Sequence, residues 1–81
     1  MKKEIRMPKL AQTVNEYIVQ KIFVKTGDSV DMGDILIEVE TDKSILPVEA
    51  YLEGTIIEIC AAEGDTILEG DVFVVIDSAE D

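Results

Sequence analysis

The stretch GDSVDMGDI, residues 27–35, decides the fold because it recurs as GDTILEGDV at residues 64–72. In both copies, 37 positions apart, two glycines each precede an aspartate and β-branched residues keep their places. The register continues outside the stretch, where Val19 falls on Ile56. A solenoid needs three or more such units. The repeat therefore predicts one closed domain made of two halves related by a pseudo-twofold.

The hydrophobic pattern within each half is that of short β-strands. Apolar residues alternate along 35–40 and again along 72–77, which is the period of a strand. The Gly-Asp pairs supply tight turns, since glycine adopts positive φ without strain. We predict an all-β domain, a flattened barrel or two-sheet sandwich of eight strands. The predicted strands are 2–7, 17–24, 29–30, 35–40, 45–50, 54–60, 66–67 and 72–77.

The length and the net charge of the chain argue against several classes of function. The 81 residues form one small domain with little core to spare for a deep active-site cavity. The net charge of −11 argues against nucleic acid and against anionic membrane surfaces. The longest apolar run, 72–76, is far short of the ~20 residues that span a bilayer. No apolar segment of a signal peptide follows the N-terminus, so we expect a protein of the cytoplasm or, in a eukaryote, of the mitochondrial matrix.

The reactive residue types are few. There is no histidine, hence no Ser-His-Asp or Cys-His pair and no zinc-type cluster. Cys60 is the only cysteine, and we predict that it is a small buried hydrophobe. The carboxylates of Asp28, Asp31 and Asp34 lack the full EF-hand spacing, which favours a solvated acidic loop over a calcium site. We expect no metal site and no catalysis by this chain alone.

One lysine stands apart in an acidic segment. In Glu40-Thr41-Asp42-Lys43-Ser44, Lys43 is the only basic residue after Lys25. Because apolar alternation ends before 41–44 and resumes after it, these residues are predicted to form a tight hairpin turn. Asp42 is suited to bond turn amides, and Lys43 is expected to extend into water. On the residues alone, an ordinary solvated lysine remains open. The offset of 37 maps the turn onto the chain termini, so we expect the two at opposite tips.

A family resemblance extends over residues 4–77. PKL at 8–10, VKTGDSVDMGDILIEVETDKS at 24–44 and EGDVFVVI at 69–76 resemble the lipoyl domain of dihydrolipoyl acyltransferases, the core components of 2-oxo acid dehydrogenase complexes. The resemblance implies a barrel-sandwich hybrid fold with lipoic acid in amide linkage on Lys43. Two residues depart from the family pattern: Tyr17 stands where glycine is frequent, and Ser44 where alanine or valine is frequent.

The resemblance also implies roles for the neighbours of the lysine. Glu40 and Thr41 complete the signature, while Asp42 and Ser44 flank the lysine and are implied to be read by the lipoylating enzyme. The implied partners are a lipoate ligase or lipoyl transferase, a thiamin-diphosphate-dependent 2-oxo acid decarboxylase, the acyltransferase core and a dihydrolipoyl dehydrogenase. Between the last three, the lipoyl group acts as a swinging arm that shuttles acyl groups and reducing equivalents. The isolated domain is expected to be a monomer.

The acidic surface has two interpretations. Glu38, Glu40, Asp42 and Glu49 are predicted to guide docking to basic surfaces on the decarboxylase by charge complementarity. Solubility is an equally weighted alternative. Glu-to-Gln changes that left the salt dependence of acylation untouched would remove the support for docking.

Two other functions compete with the lipoyl carrier. A biotin carboxyl carrier shares the fold and the lysine turn, but it usually brackets its lysine with methionines. An unmodified barrel-sandwich structural or adaptor module normally carries a helical hairpin between its halves, for which 41–44 leave no room. We assign residues 1–77 to the carrier domain and 78–81 to the start of a polar linker, which favours a piece of a larger acyltransferase.

Overall fold

The regular structure of the chain is entirely β in a computed structural model that describes residues 1–10 and 15–78. Each of the eight predicted strands is present, with ends within two residues of the predicted ones, which confirms the all-β prediction. No helix long and apolar enough to cross a membrane occurs in these two described ranges. The strands are β1 Lys2–Arg6, β2 Glu16–Ile22, β3 Ser29–Val30, β4 Ile35–Glu40, β5 Ile45–Glu49, β6 Gly54–Ile59, β7 Thr66–Leu68 and β8 Val72–Asp77.

The strands form two antiparallel four-stranded sheets, in the orders β1-β8-β6-β3 and β5-β4-β2-β7. We call the second one the hairpin sheet, because it contains the β4–β5 hairpin. Exchanging β1 with β5, β8 with β4, β6 with β2 and β3 with β7 converts one order into the other. The turns repeat as well: Gly27 N donates to Ile56 O, and Gly64 N donates to Val19 O, both at 2.8 Å. The predicted pseudo-twofold is confirmed.

The core lies between the two sheets and is built from inward residues of both halves. Its largest fully buried side chains include Tyr17 and Phe73. No buried side-chain nitrogen or oxygen among the described residues lacks a hydrogen-bond partner. Among residues 1–10 and 15–78, the buried core cluster consists of Ile5, Met7, Tyr17, Val19, Val30, Leu36, Ile37, Val39, Val48, Ala50, Ile56, Ile67, Phe73, Val74 and Ile76.

Simple alternation along β4 and β8 fails where each strand has a bulge. Leu36 and Phe73 would face outward by period two, yet both are buried. Each is the extra residue of a β-bulge: in β4 the partners shift from Ile35 with Glu49 to Ile37 with Val48, which leaves Leu36 unmatched. In β8 the same shift skips Phe73. A bulge turns one additional side chain to the same face, so it adds core volume and exposes Ile35.

The prediction that Cys60 is buried is wrong, because its side chain is exposed. Cys60 follows the half-buried Ile59 at the end of β6, and its N donates to Phe73 O at 2.9 Å, so alternation turns the thiol outward. Partial desolvation raises the pKa of the Cys60 thiol, and the carboxylates of Glu58 and Glu4 raise it further. The thiol therefore stays protonated at neutral pH and is a poor nucleophile.

At the end of the assigned carrier domain, the structure describes the chain as far as residue 78. Ser78 is buried, its N donates to Met1 O at 2.7 Å, and the terminal ammonium of Met1 donates to Ser78 O and to Asp77 Oδ1. Residues 79–81, the rest of the predicted linker, lie outside the described residues. The boundary at 77 remains a prediction.

Candidate functional site

The turn between β4 and β5 is closed by Thr41. Its N donates to Ser44 O at 2.8 Å, and its Oγ1 donates to the same oxygen at 3.0 Å. The Oγ1 atom also accepts from Lys43 N at 3.3 Å and from Ser44 N at 3.2 Å. The turn amides are therefore bonded by Thr41, and the expectation that Asp42 bonds them is wrong. A hydroxyl that meets three backbone groups restricts the backbone on both sides of the lysine.

Lys43 is exposed at this turn, as the sequence predicts. Asp42 and Ser44 on either side are exposed as well, while Thr41 is half-buried. The three ion pairs within the described part of the chain involve other residues, so no carboxylate there holds the Lys43 ammonium. The backbone of the turn is held and the amine is accessible, which is what a modifying enzyme requires.

Glu40, the last residue of β4, connects the turn to the hairpin sheet. It lies in register with Ile45 on one side and with Ile18 on the other. The carboxylate is exposed. Glu40 precedes Lys43 by three residues in the chain. The two side chains form no ion pair in the described part of the chain.

An open groove of about 710 Å³ lies beside the turn, lined by residues 15–18, 40–42 and Thr66. Tyr17 is fully buried there, and its hydroxyl accepts a hydrogen bond from Leu10 N at 3.1 Å. This bond ties the segment after β1 to β2 next to the lysine turn. Sequence reasoning missed the groove; its only signal was the tyrosine at a position where the family often has glycine.

The turn and the chain termini occupy equivalent places in the two halves. Thr41 N donates to Ser44 O in the hairpin, and Ser78 N, 37 residues on, donates to Met1 O. A twofold puts equivalent features on opposite sides of its axis. The lysine turn is thus carried by one sheet, while residues 1 and 78 adjoin strands of the other. Their placement at opposite tips remains a prediction.

The site offers a primary amine, that of Lys43, which can accept a group from another molecule. The described residues contain no cluster of three histidine, cysteine or acidic side chains that could hold a metal ion. The distinguishing group is a primary amine on a closed turn, at one end of a two-sheet β-domain. These features define a class of small two-sheet β-domains that present an exposed lysine on a hairpin turn.

The comparison with family models agrees with this class. The model described as "Biotin-requiring enzyme" matches residues 3–76, so the chain belongs to the biotinyl/lipoyl attachment family. Over 77 residues, 95% of the chain, it is 39% identical to the dihydrolipoyllysine-residue acetyltransferase component of the pyruvate dehydrogenase complex of Staphylococcus aureus. It is 35% identical to the component of the same name from Staphylococcus epidermidis. The chain spans 18% of the length of these curated relatives.

Solved structures share the fold. The lipoyl domain of the 2-oxoglutarate dehydrogenase complex from Azotobacter vinelandii has a TM-score of 0.69 and 28% identity, with 94% of this chain and 98% of that one covered. Urea carboxylase from Kluyveromyces lactis has a TM-score of 0.78 and 25% identity, with 95% of this chain and 6% of that one covered. The predicted barrel-sandwich fold is confirmed.

Replacing Thr41 by valine tests the role of its hydroxyl. Thr41→Val keeps the shape and the β-branch but removes the Oγ1 bonds to residues 43 and 44. Because water replaces these bonds in the exposed turn, we take their combined net contribution to turn order as about 1 kcal/mol and expect the rate of enzymatic lipoylation of Lys43 to fall about fivefold, with little change in fold. Time-resolved intact mass measures the rate. Thr55→Val, on an exposed strand position of the other sheet, is the control, and an equal effect in both variants would contradict the assignment.

Proposed function

We propose that this chain is a lipoyl carrier domain of the acyltransferase component of a 2-oxo acid dehydrogenase complex, with Lys43 as the attachment site. The observation that carries the proposal is the exposed Lys43 on the closed 41–44 turn. Lipoate is favoured over biotin because the flanking residues are Asp42 and Ser44 rather than methionines. The identity to acetyltransferase components supports the same choice.

The residues at the turn fit a covalent arm. Lys43 is exposed and the residues on either side of it, Asp42 and Ser44, are exposed as well, so an amide could form there without rearrangement of the sheet. Bound in this way, lipoic acid would supply a dithiolane that can be reduced, acylated and reoxidised. The chain itself holds the amine in place through Thr41 and carries it on a rigid hairpin.

The proposed partners follow from this role. They are the lipoylating enzyme, the thiamin-diphosphate-dependent decarboxylase, the acyltransferase core and dihydrolipoyl dehydrogenase. A tethered domain meets the last three at high effective concentration, so none of these encounters needs high affinity. The relatives of this chain that are acetyltransferase components of pyruvate dehydrogenase complexes support partners of this kind.

Mass spectrometry after enzymatic modification tests the proposal. The chain is incubated with lipoate ligase, lipoate and ATP, and separately with biotin ligase, biotin and ATP, followed by intact mass and peptide mapping. We expect one lipoyl increment on Lys43, with none on Lys25, an exposed lysine outside the turn that serves as internal control. A biotinyl increment would instead identify the chain as a carboxyl carrier. The likeness to urea carboxylase supports this second candidate function. No increment from either would favour the unmodified structural module.

A further inference from the structure

The two halves of the fold differ at the groove beside the lysine turn. The offset of 37 relates Tyr17, which lines the groove, to Gly54 in the other sheet. A Cβ at Gly54 would lie 2.5 Å from the backbone oxygen of Asp77, so β6 and β8 approach each other there as only glycine allows. Tyr17 has a Cβ, and the equivalent of Asp77 beside it is Glu40. The backbone of β2 therefore cannot come as close to residue 40 as β6 comes to residue 77.

The groove is thus a feature of this chain and not a requirement of the fold. Tyr17 stands where the family often has glycine, and its side chain is fully buried beneath the groove. The volume of about 710 Å³ lies within the range of about 300–1,000 Å³ that is usual for sites of small molecules. The groove is therefore large enough for a small organic group.

The lining of the groove combines apolar surface with carboxylates. Ile18 is 44% exposed and lies in register with Glu40 on one side and with Thr66 on the other. The carboxylates of Glu16 and Asp42 belong to the lining as well. None of the three acidic side chains takes part in an ion pair within the described part of the chain. Such a lining suits a neutral, largely apolar group that has a hydrogen-bond donor for a carboxylate.

A lipoyl group on Lys43 has this chemistry and would be attached at the edge of the groove. Lys43 directly follows Asp42, and the lipoyl-lysine arm extends roughly 13 Å from Cα to its ring, at ~1.2 Å per bond as in extended backbone. Ile18 lies one strand spacing, about 5 Å, from Glu40, which precedes Lys43 by three residues. The groove beside Ile18 is therefore within reach of the arm without any change in the sheet.

A cationic molecule from solution is the other occupant that three carboxylates would suit. Such a molecule is present only at its bulk concentration, whereas a group attached to Lys43 has an effective concentration in the millimolar range. The attached group therefore occupies the groove ahead of any free ligand of similar affinity.

We propose that the groove is an intramolecular docking site for the lipoyl arm, in which Ile18 contacts the dithiolane and the carboxylates of Glu40 and Asp42 accept the amide N–H at Nζ. This inference rests on the proposed function and deepens it. With a millimolar effective concentration, a contact whose Kd is also millimolar is occupied about half of the time. The groove then shields the dithiolane between encounters, and the contact is weak enough for the arm to leave when a partner enzyme arrives.

The first measurement does not depend on enzymatic lipoylation. The ¹⁵N-labelled Lys43→Gln chain, which has a neutral amide at the attachment position, is titrated with lipoamide while the amide shifts are followed. We expect saturable shifts at residues 15–18 and at Thr66, with a Kd in the millimolar range. Shifts that do not saturate, or that are spread evenly over the domain, would overturn the proposal.

The second measurement examines the attached arm, once intact mass shows a lipoyl increment on Lys43. Spectra of the lipoylated chain are compared with those of Lys43→Gln, which reports the loss of the ammonium charge alone. We expect additional shift differences at residues 15–18 and at Thr66, together with nuclear Overhauser effects between the arm methylenes and the methyl groups of Ile18.

Two matched variants of the lipoylated chain locate the contact. Ile18→Thr removes the apolar contact and gives position 18 the residue type of its counterpart Thr55, so the fold should tolerate it. We expect the shift difference at Thr66 to fall about threefold in this variant. The control is Ile57→Thr on the other sheet, where 41% exposure is close to that of Ile18, and it should leave the difference unchanged.

The outcomes separate this proposal from the proposed function. Differences in the lipoylated chain that equal those of Lys43→Gln, or that persist unchanged in Ile18→Thr, would overturn docking of the arm while the increment on Lys43 still supports the carrier role. A chain that the ligase does not modify, but whose groove binds lipoamide, would contradict the carrier role and support the groove as a site for this group.

Discussion

Moving the lysine by one residue, in the variant Lys43→Ser with Ser44→Lys, is expected to abolish lipoylation while composition and net charge stay the same. Adjacent side chains in a hairpin project in different directions, so a shift of one position turns the amine away from the ligase. The backbone bonds that Thr41 makes to residues 43 and 44 do not depend on those side chains and should persist. Since misplacement by about 1 Å can cost about 100-fold in rate, we expect at least that loss by intact mass.

The controls separate position from folding. Ser44→Ala alone leaves the lysine in place and should be modified at close to the normal rate. The thermal unfolding midpoints of both variants should match that of the wild type, because residues 43 and 44 are exposed. Efficient lipoylation of the exchanged variant at its new lysine would show that the enzyme reads only a flexible exposed amine, and the importance we give to the closed turn would be refuted.

Gly54→Ala is expected to cause the largest loss of stability of any single methyl addition at a described glycine. A Cβ at this position would lie 2.5 Å from the backbone oxygen of Asp77 and 3.2 Å from Cδ1 of Ile76. The oxygen belongs to β8, a central strand paired on both sides, so it cannot move aside as a flexible side chain would. We expect the free energy of unfolding to fall by about 3 kcal/mol or more, out of a total of about 4–12 kcal/mol for a chain of this length.

Gly64→Ala is the matched control for that variant. Gly64 has φ +93°, and a Cβ there would meet nothing within 4 Å, so the cost is backbone strain alone, about 1–2 kcal/mol. Urea denaturation of both variants measures the difference, with the slope of the transition checked for constancy. Equal losses would mean that the contact between β6 and β8 relaxes freely, and the close approach at Gly54 would not constrain the sheet.

The strands and the position of the lysine turn could be predicted because both depend on short sequence patterns of neighbouring residues. Alternation identifies a strand within five or six residues, and a Gly-Asp pair identifies a turn without reference to the rest of the chain. The repeat at 27–35 and 64–72 then relates the two halves, which is enough to specify a closed β-domain. Lys43 is recognisable for the same reason, since 41–44 interrupt an alternation that resumes directly after them.

Other features depend on which strands meet, and the sequence did not reveal them. Leu36 and Phe73 are turned inward by bulges that exist only because β4 and β8 pair with β5 and β1 across the fold. The turn hydroxyl that bonds the amides is that of Thr41, although Asp42 is equally suited to do so on sequence grounds. Cys60 has the apolar character of a core residue and is nevertheless exposed.

The sequence by itself therefore determined an all-β domain of two related halves with one lysine at a tight turn. The tertiary structure decided how the sheets close, which residues the bulges bury, and that the hydroxyl of Thr41 bonds the amides of the turn. The physical reason is how far apart in the chain the interacting residues lie. Strand period and turn chemistry act between neighbouring residues, whereas register, bulges and surface patches arise from contacts between strands distant in the chain, where packing of the shared core overrides local preference.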